Sequence, residues 1–230
     1  MNLRPLRFAA PLCLLAVASL GCSPGGMGSP QNFDTPEACF SGAKDAVANS
    51  DPLAFCDCLT DESQQTVAGA MVVMGGMMKK MSGVALLGGR QAAEEAREQF
   101  APINAVLEKH GVAASDIDDV VIIAARSKNG EVVRQAGKAI ANKRMFIAEM
   151  MGALSSTDRD VGFVEQISDA FASELTDLKI DGDRATATLV GLTDRKPIEF
   201  RKSAAGWKIH ISVDDMTSTT PAADPAEAAR

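Results

Sequence analysis

The alternation of apolar and polar residues from Leu175 to Val213 constrains this chain most, because it fits a four-stranded antiparallel meander. Leu178 and Ile180 alternate with polar neighbours, and Asp181-Gly182 supplies the residues of a tight type I′ turn. Ala185, Ala187 and Leu189 share one face of a second strand, and Gly191 to Pro197 is a looser polar loop. Ile198 and Phe200 then share a face, as do Trp207, Ile209, Ile211 and Val213 beyond the Ser203-Ala-Ala-Gly206 loop. Placing Lys202 opposite Trp207 sets Phe200 against Ile209 and Ile198 against Ile211. A slip of one residue would expose all of them. The fold class that follows is α+β: several N-terminal helices packed on a C-terminal meander.

The helices have their own punctuation. Asp34-Thr35-Pro36-Glu37 offers a cap, a first-turn proline and an acid, so a helix is expected to about Asn49, ended by Ser50-Asp51-Pro52. Leu53 to Leu59 is a short apolar piece, and Thr60-Asp61-Glu62-Ser63 caps a long helix. In that helix Val67, Ala70, Met71, Met74, Met77, Met78, Met81, Val84 and Ala85 form one stripe. Gly69, Gly76 and Gly83 fall roughly opposite, beside Lys79 and Lys80. Each interior glycine costs about 1 kcal/mol against alanine, so this helix needs tertiary support or breaks near Gly75-Gly76. Further helices are expected at about 91–109 with an interior Pro102, 131–154 and 158–174, and the run at 116–125 fits either a strand or a helix turn.

Residues 1–21 are not fold. Arg4 and Arg7 precede a short apolar run ending in Ser19-Leu20-Gly21-Cys22, the layout of a secretory signal. It resembles a bacterial lipoprotein signal, which implies lipidation at Cys22 and, with Ser23 following, sorting to the outer membrane. An ordinary secreted protein cleaved nearby is the alternative. Residues 22–33 form a flexible tether, 34–213 the domain and 214–230 a disordered tail rich in Thr, Pro, Ala and acid. With Arg4 and Arg7 removed, the 23 basic residues become 21 against 30 acidic ones, net −9. Such a surface argues against nucleic acid and against electrostatic attraction to anionic lipid heads. The membrane partner is therefore reached through the N-terminal lipid.

Two segments together resemble the NTF2-like (SnoaL-like) superfamily. One is Thr35-Pro-Glu-Ala to Cys58-Leu-Thr-Asp-Glu; the other is Asp177-Leu-Lys-Ile-Asp-Gly-Asp-Arg-Ala-Thr-Ala to Gly206-Trp-Lys-Ile-His-Ile. The resemblance covers about a third of the mature chain. It implies helices leading into a cone-shaped sheet, with residues 60–174 as a helical elaboration. Members include isomerases, cyclases and many non-enzymes, so fold implies no activity.

The chemistry-bearing residues are few. The chain has two histidines, His110 and His210, and no tyrosine. His110 stands at a helix end, where it would satisfy the last carbonyls. His210 faces Glu199 across the sheet, as a general base needs, although on a solvated face the same pair is a surface interaction. Met71, Met74, Met77, Met78 and Met81 offer thioethers suited to Cu(I), yet a methionine stripe is ordinarily core filler. The glycine-rich side could instead dock on a partner helix or lipid. Cys39, Cys56 and Cys58 allow at most one disulfide, from Cys39 to Cys56 or Cys58. It would contribute about 3 kcal/mol and would require Asp51 to Cys58 to be partly non-helical; three buried thiols are the alternative. The resulting expectation is a lipid-anchored envelope module, non-catalytic and without a cofactor, binding a protein or a small apolar ligand near Phe200, Trp207 and Ile209. An NTF2-like isomerase or hydrolase and a Cu(I)-binding envelope protein are the alternatives.

Overall fold

The computed structural model describes residues 31–84, 89–112, 130–156, 171–191 and 196–212. The signal segment, Cys22, the run at 116–125, most of the expected helix at 158–174 and the acidic tail lie outside them. Among the described residues six helices precede a four-stranded antiparallel sheet, in the order β1-β2-β3-β4.

The helix starts follow their caps. The Thr35 hydroxyl accepts the Ala38 N–H at 3.1 Å and opens α1 (Pro36–Ala48). Asp51 accepts the N–H groups of Leu53 and Ala54 and opens α2 (Pro52–Asp57). The Thr60 hydroxyl accepts from Ser63 N–H at 3.1 Å, and α3 (Asp61–Val84) follows without a break at Gly75-Gly76. In α4 (Arg90–Lys109) Ala93, Phe100, Ile103 and Leu107 are buried despite the interior Pro102. The single helix expected over 131–154 is two, α5 (Glu131–Ala139) and α6 (Lys143–Ser155). Ile140 turns extended (φ −78°, ψ 114°) and is buried, and the Asn142 side chain accepts the Met145 N–H to start α6. An asparagine inside an apolar run was the signal for this break.

The glycines of α3 supply the support that their helix needed. A Cβ at Gly69 would lie 1.7 Å from the Val133 carbonyl oxygen, and one at Gly137 would lie 1.8 Å from that of Gln65. α3 and α5 therefore meet backbone to backbone at a glycine pair, and Gln65 Nε2 donates across the contact to Arg134 O at 2.8 Å. The glycine side, for which docking on a partner helix or lipid was one reading, is covered at Gly69 by this chain's own α5. A Cβ at Gly75 would come within 3.1 Å of Leu107, so α4 closes on another side.

The sheet comprises β1 (Glu174–Asp181), β2 (Arg184–Val190), β3 (Lys196–Ser203) and β4 (Gly206–His210). Its register is as expected, with Lys202 opposite Trp207, Phe200 opposite Ile209 and Glu199 opposite His210. Phe200, Trp207, Ile209, Ala185, Ala187 and Leu189 are buried with Phe40, Phe55 and Phe171 in one core, and Ile198 and Ile211 pack against it. Three details differ. β3 takes in Lys196 and Pro197, expected in the loop. The first turn is Gly182-Asp183, one residue later than expected, and only its glycine takes positive φ (59°), the pattern of a II′ rather than a I′ turn. β1 carries a bulge between Thr176 and Lys179, with Asp177 at φ 54°. Leu175 and Leu178 are three residues apart and would face opposite ways on a regular strand; the extra residue lets both pack on the core. Ile180, beyond the core at the hairpin end, is 56% exposed.

Gly69→Ala should destabilise by about 2–3 kcal/mol through overpacking against backbone that has no rotamer to yield. Gly152→Ala in α6, where an added Cβ meets nothing within 4 Å, should stabilise by up to about 1 kcal/mol. Denaturant midpoints of the two variants test the pair, and equal effects would refute the glycine crossing. Trp207→Ala should cost about 3–5 kcal/mol, with Thr186→Ala on the exposed face costing well under half of that.

Candidate functional site

The polar groups of the fold converge on the outer edge of β4. A last strand leaves a row of N–H and C=O groups without a ladder partner, and such edges need covering. Here two distant pieces of chain cover it through parallel bridges, Phe33 to Gly206 and Leu59 to Ile209. Trp207 N–H donates to Phe33 O and Ile209 N–H to Cys58 O, each at 2.8 Å, and Thr60 N–H donates to Ile209 O at 3.0 Å. Gly206 makes this approach feasible. At φ 82° it is conformationally suited to glycine, and a Cβ there would lie 2.1 Å from Asn32 Oδ1 and 2.4 Å from Phe33 O. Residues 31–33, expected as the end of a tether, are thus part of the domain.

Ser63 completes the edge. Its hydroxyl donates to Ile209 O at 3.2 Å and accepts Ile211 N–H at 2.8 Å, and it lies 2.6 Å from the Thr60 hydroxyl. With its one proton on Ile209 O, Ser63 must accept from Thr60. Thr60 in turn accepts from His210 Nδ1 at 3.3 Å, which puts the imidazole proton on that nitrogen. Ser63 is fully buried and both its lone pairs are taken, so this hydroxyl–imidazole row fastens backbone and offers no nucleophile. Glu62 Oε2 lies 3.9 Å from the same nitrogen. Glu199 faces His210 in the ladder, but one of its oxygens accepts from Arg201 Nε at 2.9 Å. His210 is 5% exposed, so its face is not solvated as expected: the first turn of α3 lies over it.

Lys208 is the second fastening. Only 7% exposed, it donates from Nζ to Gln31 O at 2.8 Å and, in a short contact, to Asp57 O, with the ammonium 5.2 Å from the Phe33 ring centroid. Alternation alone would have sent Lys208 and His210 to solvent. The signal available in the sequence was the capping run Thr60 to Ser63, whose hydroxyls had a second use.

The three cysteines are buried free thiols, grouped unequally. Cys39 Sγ directs its proton at Cys58 O at 3.5 Å. The Cys58 side chain beside it and the nearby Lys208 charge hold the Cys39 thiol below its ordinary range against the cost of burial. Its partner role and burial push Cys58 upward. Cys56 turns away toward Arg144 O at 4.0 Å, and burial pushes its thiol up to about 12. α2 is helical, contrary to the condition set for a Cys39 bridge, and Cys58 still arrives beside Cys39. The return starts early, at the Asp51 N–H bond to Ala46 O, and Cys58 follows the last turn of α2.

The remaining candidates lie elsewhere. His110 Nε2 contacts Glu149 Oε2 at 3.2 Å with its ring edge-on to Phe146, and Gly111 and Val112 N–H groups close the α4 carbonyls that His110 was expected to serve. The hydrogen bond from Lys109 holds the Glu149 carboxyl below the usual range. Met71 is buried in the core, Met74 and Met78 are half-buried against it and Met77 is 41% exposed, so the stripe runs from core to surface; the Met81 side chain lies outside the described residues. Phe200, Trp207 and Ile209 all belong to the core. No helix among the described residues is long and apolar enough to cross a membrane. No family model, curated protein or solved structure matches this chain.

Ser63→Ala should cost about 1–3 kcal/mol, because it strands the Ile211 N–H and leaves the Ile209 carbonyl with the Thr60 N–H alone. Ser155→Ala, which removes an exposed bond to Met151 O, should cost under about 0.5 kcal/mol. Urea denaturation of both decides whether the β4 edge depends on that one hydroxyl.

Proposed function

We propose that this chain is a lipid-anchored envelope protein whose α+β domain is a non-catalytic binding module, with an NTF2-like cone formed by α1, α2 and the sheet. In this reading α3 to α6 are the helical elaboration, and the ligand is an envelope protein or a small apolar molecule. The observation that carries it is the fastening of Gln31–Phe33 to β4. Gln31, the first of the fastened residues, stands nine residues after Cys22, a span of at most about 30 Å fully extended. A lipid on Cys22 would hold the β4 edge within that distance of the bilayer, facing the periplasm if sorting follows Ser23. The non-catalytic reading is supported by the engagement of Ser63, Thr60, His210 and Lys208 in holding backbone at that edge.

Metabolic labelling with a palmitate analogue should mark the wild-type protein and leave Cys22→Ala unlabelled; equal labelling of both would overturn the anchor. Cross-linking and pull-down of the native lipoprotein from envelope extract should then recover a stoichiometric protein, or an apolar molecule detectable by mass spectrometry. Recovery of a turned-over substrate would replace the binding role by a catalytic one.

A further inference from the structure

We propose that Cys39 and Cys58 constitute a redox site: a dithiol that closes to a disulfide locking α1 to the covered edge of β4, while Cys56 remains a thiol. Both sulfurs are fully buried, and each directs its proton at a carbonyl, Cys39 at Cys58 O (3.5 Å) and Cys58 at Ala54 O (3.4 Å). The absent side chain of Gly42 leaves space for the Phe33 ring, since a Cβ there would lie 2.6 Å from its Cε1, and the Cys58 sulfur packs on the same spot at an ordinary contact distance of 3.7 Å. Cys56 belongs to a different environment, on the side of α2 that meets α6, with its sulfur toward Arg144 and its carbonyl held by Gln64 Nε2 at 2.9 Å. Spacing alone left Cys39 two partners, and the packing of α2 selects one.

The two sulfurs have different roles. The Cys58 side chain, with the Lys208 ammonium fixed on the adjacent Asp57 carbonyl, lowers the Cys39 thiol, whereas its contact with Cys39 and burial raise Cys58. Cys39 is therefore the attacking sulfur. Its thiolate displaces one thiolate from an external disulfide and forms a mixed disulfide. Cys58 then loses its proton and attacks the Cys39 sulfur, displacing the second thiolate. Two electrons and two protons pass from the dithiol to the external disulfide, which leaves as two thiols. Because both sulfurs are buried, exchange proceeds through opening of the α1 edge or before the domain closes. The bond also fixes Cys58, whose carbonyl accepts the Ile209 N–H, so the redox state reaches the hydrogen bond that closes β4.

That the pair is closed in the cell rests on the envelope reading, where thiols oxidise; its connectivity does not. The test equilibrates the mature full-length lipoprotein in detergent across a series of oxidised and reduced glutathione ratios, then acid-quenches, unfolds and alkylates it before non-reducing peptide mapping. The expected result is a Cys39–Cys58 cross-linked peptide at the oxidising end with Cys56 alkylated throughout. A bridge containing Cys56, or three alkylated thiols at the oxidising end, would overturn the proposal. Loss of lipid label with the bridge intact would instead remove the envelope reading alone. In the reduced wild type, a brief pulse of iodoacetamide followed by acid quench and peptide mapping should label Cys39 several-fold ahead of Cys58, and the reverse order would overturn the assignment of the attacking sulfur.

Discussion

Everything at the C-terminal end of this structure depends on how one strand edge is satisfied. β4 has a ladder partner on one side only, and its other side would present Trp207 and Ile209 N–H groups and the Ile209 carbonyl to solvent or to another chain. The fold meets this need with residues 31–33 and 58–63. Phe33 and Cys58 supply carbonyls, Thr60 an N–H, and the Ser63 hydroxyl serves two backbone groups at once. Lys208 ties both segments together through the carbonyls of Gln31 and Asp57, and the Phe33 ring lies against its ammonium. A buried ammonium is costly unless its protons are accepted, so Lys208 both requires these carbonyls and specifies where they lie.

The helical half solves a different problem by a similar route. Glycine is a poor helix former because it leaves the backbone unrestrained and uncovered. At Gly69 and Gly137 that weakness becomes close contact, since backbone can approach backbone only where no Cβ intervenes. The long α3 then serves as a spine that α4, α5 and α6 share. It also carries the sheet edge at its N-terminus through Ser63 and Thr60, so the first turn of this helix is one of the joints between the two halves.

How much of this the sequence disclosed follows from the range of each interaction. The strand register was legible because alternation is local and one face is apolar. The caps at Thr35 and Thr60 were legible because they act within three residues, whereas Asp51 was read only as part of the stop that ends α1 and its capping of α2 was missed. The bulge at Asp177 was not, although Leu175 and Leu178 three residues apart were its trace. The break between α5 and α6 was hidden because an apolar stripe continues across it, and Asn142 was the one contrary signal. The β4 edge was illegible for a stronger reason. Its side chains looked outward by parity, and whether a polar face is solvated depends on what a distant segment does. Of the cysteines, spacing named three candidates, and only the packing of α2 against α1 on one side and α6 on the other separated them.

The latch on β4 also governs the order in which the domain can be completed. Ser63 and Ile211 are 148 residues apart, and Gln31 and Lys208 are 177 apart. Contacts of that separation form late, because the chain entropy of closing so long a loop is lost before the contact offers any return. The helices α1 and α2 must therefore wait for the last strand while their apolar sides, Phe40 and Phe55 among them, stay uncovered. A chain made or exported from its N-terminus holds residues 31–33 and 58–63 open until residues 206–211 have arrived. Shielding of the leading helices in that interval, by α3 and its neighbours or by a holding chaperone, is then a requirement of the topology itself.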